Sequence, residues 1–247
     1  MSTATFKIWR THEDGSGTFQ TFNPEVSEGM VVLDVVHKIQ AEEAPDLAVR
    51  WNCKAGKCGS CSAEINGKPR LMCMTRLSQV NLHEPVTVEP MRAFPPIKDL
   101  VTDVSWNFRV KKTITKFMPK AKEPDGTWRM AQRDVDRVQE FRKCIECFLC
   151  QDVCHVIRDH DKGAEGFIGP RFFVYAAAVE MHPLDTADRL PDLKNHHGLG
   201  YCNITKCCTT VCPEHIHITD NAIIPLKERV VDRFYDPVTR LLRVFKK

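Results

Sequence analysis

The sequence predicts an α+β protein built in two halves, β-rich over residues 1–100 and helical over 101–247. Three observations carry that prediction. Short runs bounded by turn residues fill the first half, while apolar residues at helical spacing mark the second. A stretch with Pro95-Pro96 and no periodicity, residues 91–100, lies between them and reads as a linker. Eleven of the twelve cysteines fall into three runs, one in the first half and two in the second.

Taken in order, 5–9 and 17–22 read as strands around the polar turn Glu13-Asp14-Gly15-Ser16. Residues 30–42 carry Val31, Val32, Val35, Val36 and Ile39 at helical spacing. Asn66-Gly67 between 61–65 and 71–74 is a hairpin signal. Residues 86–89 close what reads as a small sheet with one helix across it. In the second half, 134–144, 172–181 and 223–234 read as helices. Pro225 sits near the start of the last, where its missing N–H costs little. Asp236-Pro237 is placed to break it.

Composition narrows the function. A hydrophobic fraction of 43% is enough for a core without disulfides. A net charge of +3 against 27% charged residues is too mild for a nucleic-acid partner. Residues 1–10 show no secretory h-region, and nothing approaches the roughly 18 apolar residues of a membrane span. The expectation is a soluble or peripheral protein of a reducing compartment, where clustered thiols are metal ligands more often than disulfides.

The first run is Cys53-x4-Cys58-x2-Cys61, completed by Cys73. This is the plant-type spacing for a [2Fe-2S] cluster. Gly56 and Gly59 lie inside the loop, where glycine lets the backbone curl and aim N–H groups at the sulfurs. Zinc is the rival ion, and Cys58-x2-Cys61 would suit it. Cys53, set further back in a glycine loop, suits a flat two-iron cluster better.

The second run is Cys144-x2-Cys147-x2-Cys150-x3-Cys154, and the third is Cys202-x5-Cys208-x3-Cys212-Pro213. Aligned, they form an internal repeat in which Thr205 stands where a cysteine would be. Two-cluster ferredoxins pass the fourth cysteine of each run to the other cluster. That rule groups Cys144, Cys147, Cys150 and Cys212 as a [4Fe-4S] site. It leaves Cys154, Cys202 and Cys208 for the partner. A threonine hydroxyl is a poor iron ligand beside a thiolate, so three thiolates point to [3Fe-4S]. Cys207 is the leftover and reads as a non-ligand; the alternative is that it rearranges into a fourth ligand and makes a second [4Fe-4S] cluster.

No Walker, G-x-S-x-G or H-E-x-x-H sequence is present, and no catalytic residue is assigned. His196-His197 and His215-x-His217 read as surface or core histidines. The lysines at 111, 112, 116, 120 and 122 read as a solvated face. Clusters without substrate chemistry describe a wire, which needs a partner at each end.

The order of these motifs resembles the iron–sulfur subunit of succinate dehydrogenase and fumarate reductase. Cys58-Gly59-Ser60-Cys61, Ile97-Lys98-Asp99-Leu100-Val101 and Gly169-Pro170 agree with that family, and the likeness runs over nearly the whole chain. The resemblance implies an N-terminal β-grasp plant-type ferredoxin domain followed by an α-helical two-cluster ferredoxin domain. It implies an FAD-containing flavoprotein partner, a membrane anchor and quinone. It places the two-iron cluster nearest the flavin, the four-iron cluster in the middle and the three-iron cluster nearest the quinone. It also implies a peripheral position on the cytoplasmic face of the inner membrane, or the matrix side in a mitochondrion.

One departure stands out. Many quinone-reducing members carry proline after the fourth cysteine of the middle run, with a tryptophan a few residues on. Here the segment is Cys154-His155-Val156-Ile157-Arg158-Asp159, with no aromatic, and no quinone ligand is carried over. Two rival readings remain at this stage: the iron–sulfur subunit of a different flavoenzyme, and a zinc-stapled interaction module.

Overall fold

The computed structural model describes residues 2–159 and 166–238. They divide into two compact units. The first comprises Met1–Trp106, Ile145–Val153 and Val211–Pro213; the second comprises Asn107–Cys144, Cys154–Thr210 and Glu214–Lys247.

In the first unit, β1 (Ser2–Thr3) pairs with β4 (Glu25–Val26), and β2 (Phe6–Thr11) forms a hairpin with β3 (Gly17–Phe22). The turn is set by Asp14, whose carboxylate accepts from the Ser16 N–H at 2.9 Å. β5 (Ser62–Ile65), β6 (Lys68–Leu71) and β7 (Val86–Glu89) complete a sheet of order β3-β2-β7-β5-β6. β7 runs parallel to β2 and antiparallel to β5. Phe6, Ile8, Ala63, Val86 and Val88 are fully buried, as are Val32, Val35, Val36 and Ile39 of α1 (Val32–Glu42). Asp34 accepts from the Val31 N–H at 3.1 Å and so satisfies a free donor at the start of α1.

Two expectations shift. The second hairpin strand is Lys68–Leu71 rather than 71–74. Asn66 and Gly67 both take positive φ, 49° and 68°, so the two-residue turn returns at once and pairs Ile65 with Lys68. Met72–Thr75 are then free to wind around Cys73, with the Met74 and Thr75 N–H groups bonding the Leu71 carbonyl at 3.0 and 3.1 Å.

The stretch 91–100 is also more ordered than a proline-rich connection implies. β8 (Pro96–Lys98) pairs with β9 (Val101–Thr102) about Asp99, which is fully buried at φ 47°. One carboxylate oxygen of Asp99 accepts from Thr11 N at 2.8 Å and Arg10 Nε at 3.3 Å, and the other from Ala48 N at 2.8 Å.

The helices follow: α2 (Ser105–Thr113), α3 (Gln132–Gln139), α4 (Leu149–Asp152), α5 (His155–Arg158), α6 (Pro170–Glu180), α7 (Leu190–Asn195), α8 (Cys207–Thr210) and α9 (Ile224–Phe234). The predicted helix 134–144 is α3 continued by a 3-10 turn, Glu140–Lys143, which ends where Cys144 turns extended at ψ 116°. Pro170 opens α6 after Gly169 at φ 81°. One wide turn, Ile218–Ile223, runs into α9, which stops before Asp236 as predicted. Arg189 is the polar anchor of the second unit. It is 1% exposed, donates to the Thr115 and Lys116 carbonyls at 2.7 and 2.6 Å, and pairs with Asp185 at 2.8 Å. Among the described residues no helix is long and apolar enough to cross a membrane.

Candidate metal centres

All twelve cysteines are free thiols. Among the described residues no three His, Cys, Asp or Glu side chains meet as ligands of a single ion.

The first group lies wholly in the first unit. Lys54, Gly56 and Gly59 take positive φ of 52°, 67° and 69° and curl the loop. The curl aims backbone donors at sulfur: Ala55 N and Lys57 N lie 3.4 and 3.3 Å from Cys53 Sγ, and Ser60 N lies 3.5 Å from Cys58 Sγ. Cys73 N lies 3.5 Å from Cys61 Sγ. Side-chain hydrogen bonds join Cys53 to Cys58 and Cys61 to Cys73, so the four thiols form two pairs. Two pairs fit a two-iron cluster, in which each tetrahedral iron takes two thiolates.

The two inner thiols of this group differ. Burial raises Cys58, but hydrogen bonds from Ser60 and Cys53 outweigh it and bring the thiol down to about 6. Burial pushes Cys61 up to about 12. Iron must therefore displace a proton from a sheltered sulfur at Cys61, while Cys58 offers a thiolate readily.

In the middle run, Cys147 and Cys150 are buried and belong to the first unit, as does Cys212. Cys144 ends the preceding segment of the second unit. Cys154, by contrast, falls with Cys202 and Cys208 in the second unit. Cys154 and Cys212 thus each fall in the other unit from the cysteines just before them, while Cys144 falls with Cys154 and not with Cys147 and Cys150.

Sequence reasoning missed how closely the first loop meets Cys147. A Cβ added to Gly59 would sit 2.6 Å from Cys147 Cα and 2.8 Å from its Cβ. The Ser62 hydroxyl lies 2.9 Å from the carbonyl oxygens of both Gly59 and Cys147. Only Gly59 carried a hint in the sequence, as a glycine inside a ligand loop.

The third group lines a small cavity within the second unit. Cys154, Cys202, Thr205, Cys207 and Cys208 are on its wall. Backbone N–H groups of Ile157 and Val156, at the start of α5, bond the Cys154 sulfur. The Thr219 hydroxyl lies 3.5 Å from Cys208 Sγ. Burial, and then the neighbouring thiols, push Cys154 up to about 12 and Cys208 up to about 11. Four thiols on one cavity wall, with donors aimed at the sulfurs of Cys154 and Cys208, fit an inorganic cluster. His217, from the histidine pair in the sequence, instead sits 2.7 Å from Glu140.

The internal repeat is present in the backbone. Cys144 and Cys202 each follow a 3-10 turn and share an extended conformation, ψ 116° and 118°. Positive φ recurs at Glu146 and Phe148 (55° and 61°) and at Ile204 and Lys206 (both 62°). α4 and α8 then start at matching positions, Leu149 and Cys207. Glu, Phe, Ile and Lys do not favour positive φ, so no single residue announced these bends. Thr205 therefore holds the backbone place of Cys147.

Two family models match the chain: a 2Fe-2S iron-sulfur cluster binding domain over residues 5–109, and a 4Fe-4S dicluster domain over residues 140–216. The fumarate reductase iron-sulfur subunit of Mycobacterium tuberculosis is 33% identical over 84% of each chain. The succinate dehydrogenase iron-sulfur subunit of Bacillus subtilis is 30% identical over 73% of this chain and 71% of its own. Among solved structures, the Mycobacterium smegmatis Sdh1 complex in the apo form contains a chain of 60% identity that superposes with a TM-score of 0.92, covering 96% of this chain and 99% of that one. These matches set aside the zinc-stapled module. The chain belongs to the iron–sulfur subunits of the succinate dehydrogenase and fumarate reductase family, which transfer electrons through iron–sulfur clusters.

Proposed function

We propose that this chain carries single electrons between an FAD-bearing flavoprotein, which oxidises succinate or reduces fumarate, and a membrane anchor at which quinone binds. It would sit as a peripheral subunit on the cytoplasmic face of the inner membrane. Cys53, Cys58, Cys61 and Cys73 hold the [2Fe-2S] group nearest the flavin. Cys144, Cys147, Cys150 and Cys212 hold the [4Fe-4S] group. Cys154, Cys202 and Cys208 hold the [3Fe-4S] group nearest the quinone. When bound, these groups accept and release one electron at a time.

The residues around them supply placement and tuning. The observation that carries the reading is the packing of the first ligand loop on the Cys147 peptide, with Ser62 reaching both carbonyls. It brings the first ligand loop against Cys147, which supports a relay between the first and second ligand groups. Plant-type clusters of ferredoxins lie near about −400 mV, too low for a succinate-linked carrier. The four N–H groups aimed at Cys53, Cys58 and Cys61 act in the needed direction, because they stabilise the added negative charge.

The test uses the assembled complex. It should contain roughly nine irons and ten acid-labile sulfides per chain, from the two-, four- and three-iron groups together. Cys208→Ser should abolish most quinone reduction while reduction of the flavin by succinate persists. Equal loss of both activities in a fully assembled complex would refute the proposed order.

A further inference from the structure

Cys207 is the one cysteine that the three ligand groups leave over. In the repeat it stands where Leu149 stands, a position that is 1% exposed and apolar in the middle run. At 207 the side chain is half-buried and lines the same cavity as Cys154, Cys202 and Cys208. Its sulfur accepts a hydrogen bond from the Thr205 hydroxyl at 3.3 Å. Thr205 holds the backbone place of Cys147, so its hydroxyl marks where a fourth ligating sulfur would stand. The Cys207 sulfur lies one contact distance from that corner.

We propose that Cys207 is a reserve ligand that lets the third site take up a fourth iron as Fe2+. The inference rests on the three-iron reading of that site. Uptake follows one-electron reduction of the site along the chain's own relay. A reduced three-iron core with four sulfides is neutral, and adding Fe2+ gives a four-iron core of charge 2+. Cys207 exchanges its S–H proton, released to solvent, for an Fe–S bond, and Fe2+ gives up a bound water. No further electron moves in this step, and only oxidation of the four-iron core beyond its 2+ level expels Fe2+ again, so mild reoxidation leaves the iron in place. The cavity therefore binds ferrous ion when the complex is reduced and iron is plentiful.

The experiment is electron paramagnetic resonance on the whole complex, with iron counted on the same samples. The complex is reduced without oxygen by dithionite, given ferrous ion or none, freed of excess iron and mildly reoxidised. Wild type should lose most of the oxidised three-iron signal only where ferrous ion was added, and gain one iron per chain. Cys207→Ala and Cys207→Ser should keep the signal under both treatments. Equal signal loss in variant and wild type would overturn the proposal, as would a wild type that keeps its signal. So would loss of the third cluster from both variants, since Cys207 would then be an obligate ligand. If untreated, iron-replete wild type shows no three-iron signal, the three-iron reading fails by itself. The variants then still decide for Cys207: a three-iron signal appearing in them supports ligation, and its absence overturns it.

Discussion

Gly59→Ala tests the contact on which the relay depends. Gly59 has φ 69°, and its missing Cβ would lie 2.6 Å from Cys147 Cα and 3.0 Å from Cys147 N. The obstacle is backbone, which cannot rotate aside like the end of a long side chain. Two costs add. A left-handed conformation for a residue with a Cβ costs roughly 1–2 kcal/mol. Overpacking against a fixed neighbour costs roughly 1–3 kcal/mol more. The total is about 2–5 kcal/mol, enough to shift the Cys147 peptide or to lose the fold of the loop. Gly29→Ala is the control, because Gly29 has φ 89° but nothing within 4 Å of its added Cβ. It should show the first cost alone. Urea unfolding followed by cluster absorbance gives the stabilities, and electron paramagnetic resonance of the reduced complex reports the middle cluster. Gly59→Ala should unfold earlier than Gly29→Ala and perturb the middle-cluster signal, which the control leaves intact. Equal unfolding midpoints with an unchanged middle-cluster signal would refute the contact.

Two further predictions concern the scaffold. Asp99→Asn should cost roughly 2–3 kcal/mol in the same unfolding assay, because an amide presents N–H to one of the donors, Thr11 N or Ala48 N, whichever way it turns; a cost below about 0.5 kcal/mol would remove Asp99 as the organiser of the 91–100 stretch. Glu140 accepts from the His217 N–H at 2.9 Å and from the Asn221 amide, and although burial raises its carboxyl, these bonds hold it below its ordinary 4.5. A depressed folded value means the stabilisation is full above 4.5 and is lost as pH falls through the lower folded value. Glu140→Gln should therefore lower stability by about 1–3 kcal/mol at neutral pH, with the gap to wild type closing in acid; a gap that widens in acid would reverse the assignment.

The cysteine spacing made the presence of 2Fe-2S and 4Fe-4S domains legible, because cluster geometry restricts which positions of a run can reach the same irons. The unit boundaries agree with that reading at Cys154 and Cys212, each of which falls with the other run. The hairpin at Asn66-Gly67, the strand Val86–Glu89 and the helices α1, α6 and α9 were legible from turn chemistry and periodicity. What was hidden is set by tertiary contact. Asp99 reads as a loop residue, yet its buried carboxylate organises Arg10, Thr11 and Ala48. Ser62 reads as an ordinary strand residue, yet its hydroxyl reaches Cys147 across 85 positions of sequence. Neither carries a local pattern, because the partner that gives it meaning lies far along the chain.

Thr205 separates the shape of a ligand loop from its chemistry. The bends at Ile204 and Lys206 match those at Glu146 and Phe148 although no cysteine lies between them. The shape thus does not depend on a sulfur at the central position. It follows that Thr205→Cys should be accepted with little strain. The change keeps the backbone, removes one methyl and one hydroxyl from an exposed site, and forfeits only the weak bond to Cys207. Substitutions of that kind usually stay within about 0.5 kcal/mol. The consequence for iron is larger, since Cys154, Cys202 and Cys208 then gain a fourth sulfur at the place Cys147 holds in the middle run. The oxidised three-iron signal should vanish from Thr205→Cys and the iron count should rise by one, with the unfolding midpoint unchanged. A persistent three-iron signal in a stable, fully loaded variant would show that the cavity, and not the missing sulfur, excludes the fourth iron.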